Sequence, residues 1–129
     1  MANTGNAGID AATLQAAMVQ FQDLLAQNEQ LLNDLNVYPV PDSDTGSNTL
    51  HTLKAGIANT VGHASEVSEY ATALATGAAK SALGNSGVIL AQYLQGMAQG
   101  LSQTETPNQC SPSEWKQSLE QAAVVARES

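Results

Sequence analysis

The sequence predicts an all-α fold, an antiparallel helical bundle or barrel of about five helices. Apolar residues recur at steps of three and four over most of the chain, as they do on one face of a helix. No segment alternates between apolar and polar residues as a half-buried strand does, and β-branched residues do not cluster. The length of 129 residues suits one domain. We therefore expect one helical domain at residues 10–129, after a flexible lead-in at residues 1–9.

The first predicted helix is long and follows Asp10, a residue type favoured as an N-cap. Asn28 is the one polar residue on its apolar stripe. The prolines of the segment NVYPVP cannot continue a helix, so we expect the helix to end near Asn36. The apolar stripe consists of Leu14, Met18, Phe21, Leu25, Leu32 and Leu35.

Four shorter helices are predicted to follow, in the segments TLHTLKAGIANTV, EVSEYATALATGAAKSAL, VILAQYLQGMAQGL and SEWKQSLEQAAVVARES. Ser65 is expected to cap the second of these four. The sequence GNSG at residues 84–87 is expected to interrupt the chain before the third. Ser111 and Glu114 have the spacing of a capping box at the start of the last helix.

Composition and charge exclude several classes of protein. The chain has 4 basic and 12 acidic residues and a net charge of −8, so it cannot build a basic surface for nucleic acid. No apolar run approaches the ~18 residues of a membrane span. The single cysteine cannot form an internal disulfide, and the N-terminal segment MANTGNAGID has no signal-peptide pattern. We expect a cytoplasmic protein.

The first candidate site is the acidic loop at Asp42 and Asp44. Two carboxylates this close in a turn repel each other unless a cation lies between them, and Mg²⁺ is often held by one or two carboxylates, waters and phosphate oxygens. The alternative is that Asp44 caps the following helix and Asp42 is a solvated loop residue. The loop is not an EF-hand, because no glutamate closes it.

The second candidate site is the GNSG loop. Gly84 suits a left-handed conformation at the end of the preceding helix. Ser86 and Gly87 open the next helix, whose N-terminal N–H groups favour an anion such as phosphate. The alternative is an ordinary joint between two helices. Together the two loops offer a metal-binding pair of carboxylates and a phosphate cradle, and a Mg²⁺-nucleotide needs both.

The two loops carry a resemblance to a known family. LNVYPVPDSDTGSNTL resembles the LNVFPVPDGDTGTNM motif of the nucleotide-binding (L-type) domain that fatty acid kinases share with the ATP-binding subunit of dihydroxyacetone kinases. GNSGVILAQYLQG is similar to the GARGNSGVILSQ segment of that family. The NV-aromatic-PVPD form is nearer to the fatty acid kinase branch. One difference is Ala82-Leu83, which stands where Ala-Arg precedes GNSG in the family.

The resemblance implies an α-helical barrel that holds ATP and two Mg²⁺ ions at one end. It implies metal binding by Asp42, Asp44 and Asn36. It implies that the nucleotide is contacted by residues of both loops, namely Thr45, Ser47, Asn48, Gly84, Asn85, Ser86 and Gly87.

The same resemblance implies a kinase domain that passes the γ-phosphoryl group of ATP to a fatty acid or a dihydroxyacetone-like substrate, presented by a partner protein or another domain. The family domain continues for several more helices, so we expect an incomplete bundle with exposed apolar faces that self-associates as a homodimer. The alternative is a truncated or degenerate helical module without catalytic activity, which acts as a protein-interaction or regulatory unit.

Overall fold

The computed structural model describes residues 9–35, 44–63, 66–102 and 109–127, and these contain six helices and one pair of short strands. The helices are α1 (Ala11–Gln27), α2 (Glu29–Asp34), α3 (Thr45–Ala58), α4 (Val67–Lys80), α5 (Gly84–Leu101) and α6 (Pro112–Arg127). The strands β1 (Ile9–Asp10) and β2 (Gln109–Cys110) pair antiparallel, with Ile9 opposite Cys110. The all-α fold class is confirmed. The strands escaped prediction because two residues are too few for an alternating pattern.

The first predicted helix is divided at Asn28, and its prediction as one helix is wrong. The Asn28 side-chain amide donates a hydrogen bond to the Leu24 carbonyl at 2.8 Å, and its backbone leaves the helical region with φ −112° and ψ 11°. A side chain that competes for helix carbonyls favours such an ending. The chain resumes as α2, which packs against α3. The predicted end near Asn36 lies outside the described residues.

Helices α3, α4 and α5 run up, down and up. The Asn59 side chain near the end of α3 donates to the Ala73 carbonyl of α4 at 2.8 Å, and a Cβ on Gly77 of α4 would lie 2.7 Å from the Ala55 carbonyl oxygen. Later residues of α3 thus face earlier residues of α4, and the two helices are antiparallel. Because α5 reverses direction again, the N-termini of α3 and α5 lie at the same end of the bundle.

The core lies mainly between α4 and α5 and is closed by α1 and α6. Each fully buried leucine or methionine side chain contributes about 2 kcal/mol to folding. A second, smaller cluster joins α1 to α3 through Leu25, Leu50 and Leu53. The larger side chains of the main core are Leu14, Val67, Tyr70, Leu74, Leu94, Met97 and Leu101.

Helix α6 packs closely against α5 because both helices present small residues. Gly96 faces the backbone of Ala122, and Gly100 faces the backbone of Ser118, so a Cβ on either glycine would overlap α6. The predicted capping box at the start of α6 is confirmed. The Ser111 backbone N–H donates to Glu114 Oε1 at 2.8 Å, and the Glu114 N–H donates to Ser111 Oγ at 3.2 Å. The Ser65 cap predicted for α4 lies outside the described residues.

Several large apolar side chains are exposed in the described ranges. Leu35 at the end of α2 is 64% exposed and Val61 after α3 is 82% exposed. Such side chains favour self-association, and the homodimer stays a prediction. None of the described helices combines the length and the apolar character that a membrane crossing requires. The other exposed large apolar residues are Val19, Leu24, Leu31, Leu83, Val88 and Ile89.

Asp10 caps α1 as predicted, and its contribution to stability should depend on pH. The Thr13 backbone N–H donates to Asp10 Oδ1 at 2.8 Å, and this bond lowers the pKa of Asp10 below its ordinary value of 3.8. Since the folded pKa is lowered, the charge of the cap adds stability above the unfolded pKa, and this added stability is lost as the pH falls through the folded pKa. We expect Asp10→Ala to lower the free energy of unfolding by about 1 kcal/mol at pH 7, measured by urea unfolding.

As the Asp10 carboxyl becomes protonated in the folded state, the stability of the wild type relative to Asp10→Ala should fall towards that of Asp10→Asn. Asp10→Asn is the matched control, because the amide oxygen still accepts the Thr13 hydrogen bond but does not titrate. Equal stability of the wild type and Asp10→Ala at neutral pH would show that the cap does not stabilise α1.

Candidate functional site

The first turns of α3 and α5 are in contact, so Asp44 of the acidic loop and the GNSG sequence lie at one end of the bundle. Ser86 Oγ in α5 donates to the Thr45 carbonyl of α3 at 3.2 Å. The Leu83 backbone N–H, immediately before α5, donates to Thr52 Oγ1 of α3 at 3.2 Å. These two hydrogen bonds hold the helix N-termini side by side. We call this region the paired N-termini, residues 44–48 and 83–87.

Glycines allow this close approach. Gly84 has φ +70°, and a Cβ added to it would overlap the Asn48 side-chain amide. A Cβ on Gly87 would overlap Thr52 Oγ1 and lie 3.4 Å from the Asn48 carbonyl oxygen. The left-handed conformation predicted for Gly84 is therefore confirmed. It occurs at the first residue of α5 rather than directly after α4, which ends at Lys80.

The GNSG sequence is predicted to interrupt the chain before α5, and this prediction is wrong. GNSG forms the first turn of α5. Glycine disfavours helix in isolation by about 1 kcal/mol relative to alanine. The contact of Gly87 with Thr52 of α3 offsets that cost. A residue with a Cβ at this position would overlap Thr52 Oγ1. Leu83 is the N-cap residue of α5 and makes no side-chain capping hydrogen bond.

Asp44 directly precedes α3 and is partly buried. Asp44 is the N-cap residue of α3, as the alternative predicts, but its side chain makes no capping hydrogen bond to the first turn. Asn33 of α2 supplies that contact instead, since its Oδ1 accepts from the Ser47 backbone N–H at 3.0 Å. A side chain from another helix thus performs the usual task of an N-cap.

The Ser47 side chain is engaged with α2. Ser47 Oγ donates to Glu29 Oε2 at 2.6 Å and accepts from Asn33 Nδ2 at 3.0 Å. The Ser86 hydroxyl proton is directed at the Thr45 carbonyl. The sequence indicated that both serines approach phosphate, and in this structure both hydroxyl protons are donated within the protein.

The remaining predicted nucleotide residues have different exposures. Asn48 is buried, with 8% of its surface exposed, and packs against Gly84. Thr45 is partly buried, and its carbonyl also accepts from Thr49 Oγ1 at 2.8 Å. Asn85 is exposed. Contact of these residues with a nucleotide stays a prediction.

The peptide groups of the paired N-termini favour an anion, whereas the carboxylates of Asp44 and Glu29 at the same place oppose one. Each helix N-terminus carries the equivalent of about half a positive charge on its peptide groups. Two such ends in contact repel each other, and an anion between them removes that repulsion. Neither first turn contains Lys or Arg, but Lys80 ends the antiparallel helix α4 at the same end of the bundle.

The predicted metal site is described only in part. Asp44 lies at the paired N-termini, whereas Asp42 and Asn36 lie outside the described residues. Within the described ranges, no three His, Cys, Asp or Glu residues lie together as a metal-binding group. A single carboxylate, waters and phosphate oxygens are a usual ligand set for Mg²⁺, so the position of Asp44 fits that ion.

Three residues of the region were missed by sequence analysis. Glu29 and Asn33 contact Ser47 from α2, and Thr52 joins α3 to Leu83. The contact partners are separated by 14 to 31 residues along the chain. A local pattern cannot indicate contacts at such separations. Asn28 is a local indication of the change of direction at α2, because it is the polar residue on the apolar stripe where α1 ends.

The structure is an all-α helical bundle in which two helix N-termini lie side by side. Comparison with known families shows which family the chain belongs to. Residues 39–129 match the DAK2 domain, so the chain belongs to the DAK2 domain family. This is the L-type, nucleotide-binding module of the dihydroxyacetone kinase family. The matched range includes both of the paired N-termini.

The chain is also similar to several staphylococcal proteins. It is 36% identical over 101 residues to an uncharacterized protein of Staphylococcus saprophyticus. The aligned region covers 78% of this chain and 18% of that protein. It is 37% identical over 93 residues to an uncharacterized protein of Staphylococcus haemolyticus, and this alignment covers 71% of this chain and 16% of that protein. An uncharacterized protein of Staphylococcus aureus is 36% identical over 85 residues, with 65% and 16% covered. The chain thus spans less than a fifth of the length of these relatives.

Proposed function

We propose that this chain is the ATP- and Mg²⁺-binding domain of a kinase. The observation that supports the proposal most strongly is the contact between the first turns of α3 and α5 within a DAK2 domain. That contact brings two sets of helix N-terminal amides to one place. Polyphosphate binding at helix N-termini uses such amides as hydrogen-bond donors.

In this proposal the protein binds phosphate mainly through its backbone. The N–H groups of Gly84, Asn85 and Ser86 open α5, and the side chain of the N-cap residue Leu83 provides no acceptor for them. Asp44 would hold Mg²⁺ together with Asp42 and Asn36, and the family resemblance implies two ions. Mg²⁺ bound there would supply positive charge beside the transferred phosphoryl group.

The acceptor of the phosphoryl group is proposed from the motif. The NVYPVPD segment resembles the fatty acid kinase branch, in which a separate protein presents a fatty acid. We therefore propose a fatty acid on a binding partner as acceptor, with a dihydroxyacetone-like substrate as the second possibility. The chain spans a small part of its relatives, so phosphoryl transfer by the whole protein belongs to this proposal as well.

Isothermal titration with MgATP tests the site. We expect saturable binding by the wild type and affinity at least about tenfold weaker in Asp44→Ala, because even outer residues of a metal site affect affinity by about 10–100-fold. Asp23→Ala is the matched control. It removes the same charge from an exposed position in α1 and should leave affinity unchanged.

Two results would contradict the proposal in different ways. Equal affinity of the wild type and Asp44→Ala would remove Asp44 from the site but leave ATP binding in place. Absence of MgATP binding by the wild type, with no change in melting temperature on adding MgATP, would favour the alternative of a non-catalytic interaction module.

A further inference from the structure

Helix α2 contacts the paired N-termini through Glu29 and Asn33, a connection that neither the motifs nor the family match assigns. The contact depends on the break at Asn28, where α1 ends and the chain changes direction. A continuous helix would keep residues 29–34 on the axis of α1. The break makes α2 a separate six-residue element that lies against the start of α3.

Three hydrogen bonds join α2 to Ser47 in the first turn of α3. The Ser47 hydroxyl lies between the Glu29 carboxylate at 2.6 Å and the Asn33 amide nitrogen at 3.0 Å. The Ser47 backbone N–H donates to Asn33 Oδ1 at 3.0 Å. Asn33 thus hydrogen-bonds both the main chain and the side chain of Ser47. These two bonds fix the position of the first turn of α3 relative to α2.

The backbones of α2 and α3 also approach closely. A Cβ on Gly46 would lie 2.5 Å from the Glu29 carbonyl oxygen and 3.1 Å from Asn33 Oδ1. The first turn of α3 therefore has α2 on one side. On its other side the Thr45 carbonyl accepts from Ser86 of α5. A shift of α2 would displace the turn that α5 contacts.

We infer that Glu29 and Asn33 are positioning residues, which set the first turn of α3 for the phosphate groups of MgATP. The inference rests on the proposed function of the paired N-termini. Asn33 accepts from the Ser47 N–H, so the N–H groups of Thr45 and Gly46 are the remaining first-turn donors that have no intrahelical acceptor. Glu29 fixes the Ser47 hydroxyl and thereby holds the turn against α2.

The test combines amide exchange with MgATP titration. In the free protein, Asn33→Ala should raise the exchange rate of the Ser47 amide, observed by NMR, by about tenfold, because it removes the acceptor of that N–H. The same variant should bind MgATP about tenfold more weakly. Gln30→Ala is the matched control on α2. Its side chain bonds only the exposed Asp34 among the described contacts, and both measurements should stay at wild-type values.

A second pair of variants separates positioning from general destabilisation. Glu29→Ala should weaken MgATP binding about tenfold, since it removes a charged acceptor. Glu29→Gln retains an oxygen that accepts from Ser47 and should restore most of the affinity. A purely structural role of α2 would lower the melting temperature of both variants without this recovery of binding.

The possible failures are distinguishable. Wild-type binding with unchanged affinity in Asn33→Ala and Glu29→Ala would overturn the inference and leave the proposed function standing. Unchanged Ser47 exchange in Asn33→Ala would also overturn it, whatever the nucleotide does. A wild type that does not bind MgATP would overturn the inference together with the proposed function.

Discussion

Gly96→Val is expected to separate α6 from α5 and to lower the free energy of unfolding by about 3 kcal/mol. A Cβ at this position overlaps the Ala122 backbone and lies 2.8 Å from the Gln121 carbonyl oxygen. Backbone atoms of a helix cannot rotate away as a flexible side chain can. The strain is therefore relieved only by moving α6, which exposes Ala122 and Ser118, both fully buried in the wild type.

Urea unfolding followed by Trp115 fluorescence measures this effect. Trp115 is the only tryptophan of the chain and packs against the core from α6. Its emission should shift to longer wavelength in the folded variant. Gln95→Val is the control, because it places the same β-branched residue at an exposed neighbouring position and should cost less than about 1 kcal/mol. Equal unfolding midpoints for the two variants would mean that α6 is not held by close packing at Gly96.

Gly84→Ala is expected to damage both stability and the proposed nucleotide site. Alanine in the left-handed region costs about 1–2 kcal/mol, and its Cβ would in addition overlap the Asn48 side chain. Asn48 is buried between α3 and α5, so its displacement moves the two first turns apart. We expect a total loss of about 3 kcal/mol in the free energy of unfolding. MgATP affinity should fall at least about tenfold, because small misplacements of binding groups have large effects.

Gly62→Ala separates backbone strain from the contact with Asn48. Gly62 also has a left-handed backbone, with φ +86°, but no atom lies within 4 Å of the position of an added Cβ. This variant should lose only about 1–2 kcal/mol and keep its MgATP affinity. If the two alanine variants lose equal stability and bind MgATP equally well, the contact between Gly84 and Asn48 does not hold the paired N-termini together.

The helices could be predicted from the sequence because they depend on local patterns. Periodic leucines and alanines mark the helices that form the core, and Ser111 and Glu114 mark the start of α6 through a spacing of three residues. An up-down-up order of helices follows from short connections, and it brings the starts of α3 and α5 to one end.

The errors concern residues whose structure depends on distant partners. GNSG was predicted to interrupt the chain because glycine disfavours helix in isolation, yet packing of Gly87 against Thr52 makes it a helical turn. Asn28 is the exception, because the bond from its side chain to the Leu24 carbonyl, four residues earlier, is local and accompanies the end of α1. The contacts of Asn33 with Ser47 join residues 14 positions apart, and their residue types alone indicate no pairing.

The positive potential of the paired N-termini resides on peptide groups, and this affects how the region responds to mutation. Lysine and arginine can be lost by a single codon change, whereas the dipole of a helix persists whichever side chains it carries. The contribution of these peptide groups to anion binding is therefore robust to most point mutations in α3 and α5. At the proposed site, selection on affinity would act on the small residues and side-chain contacts that set the distance between the helices.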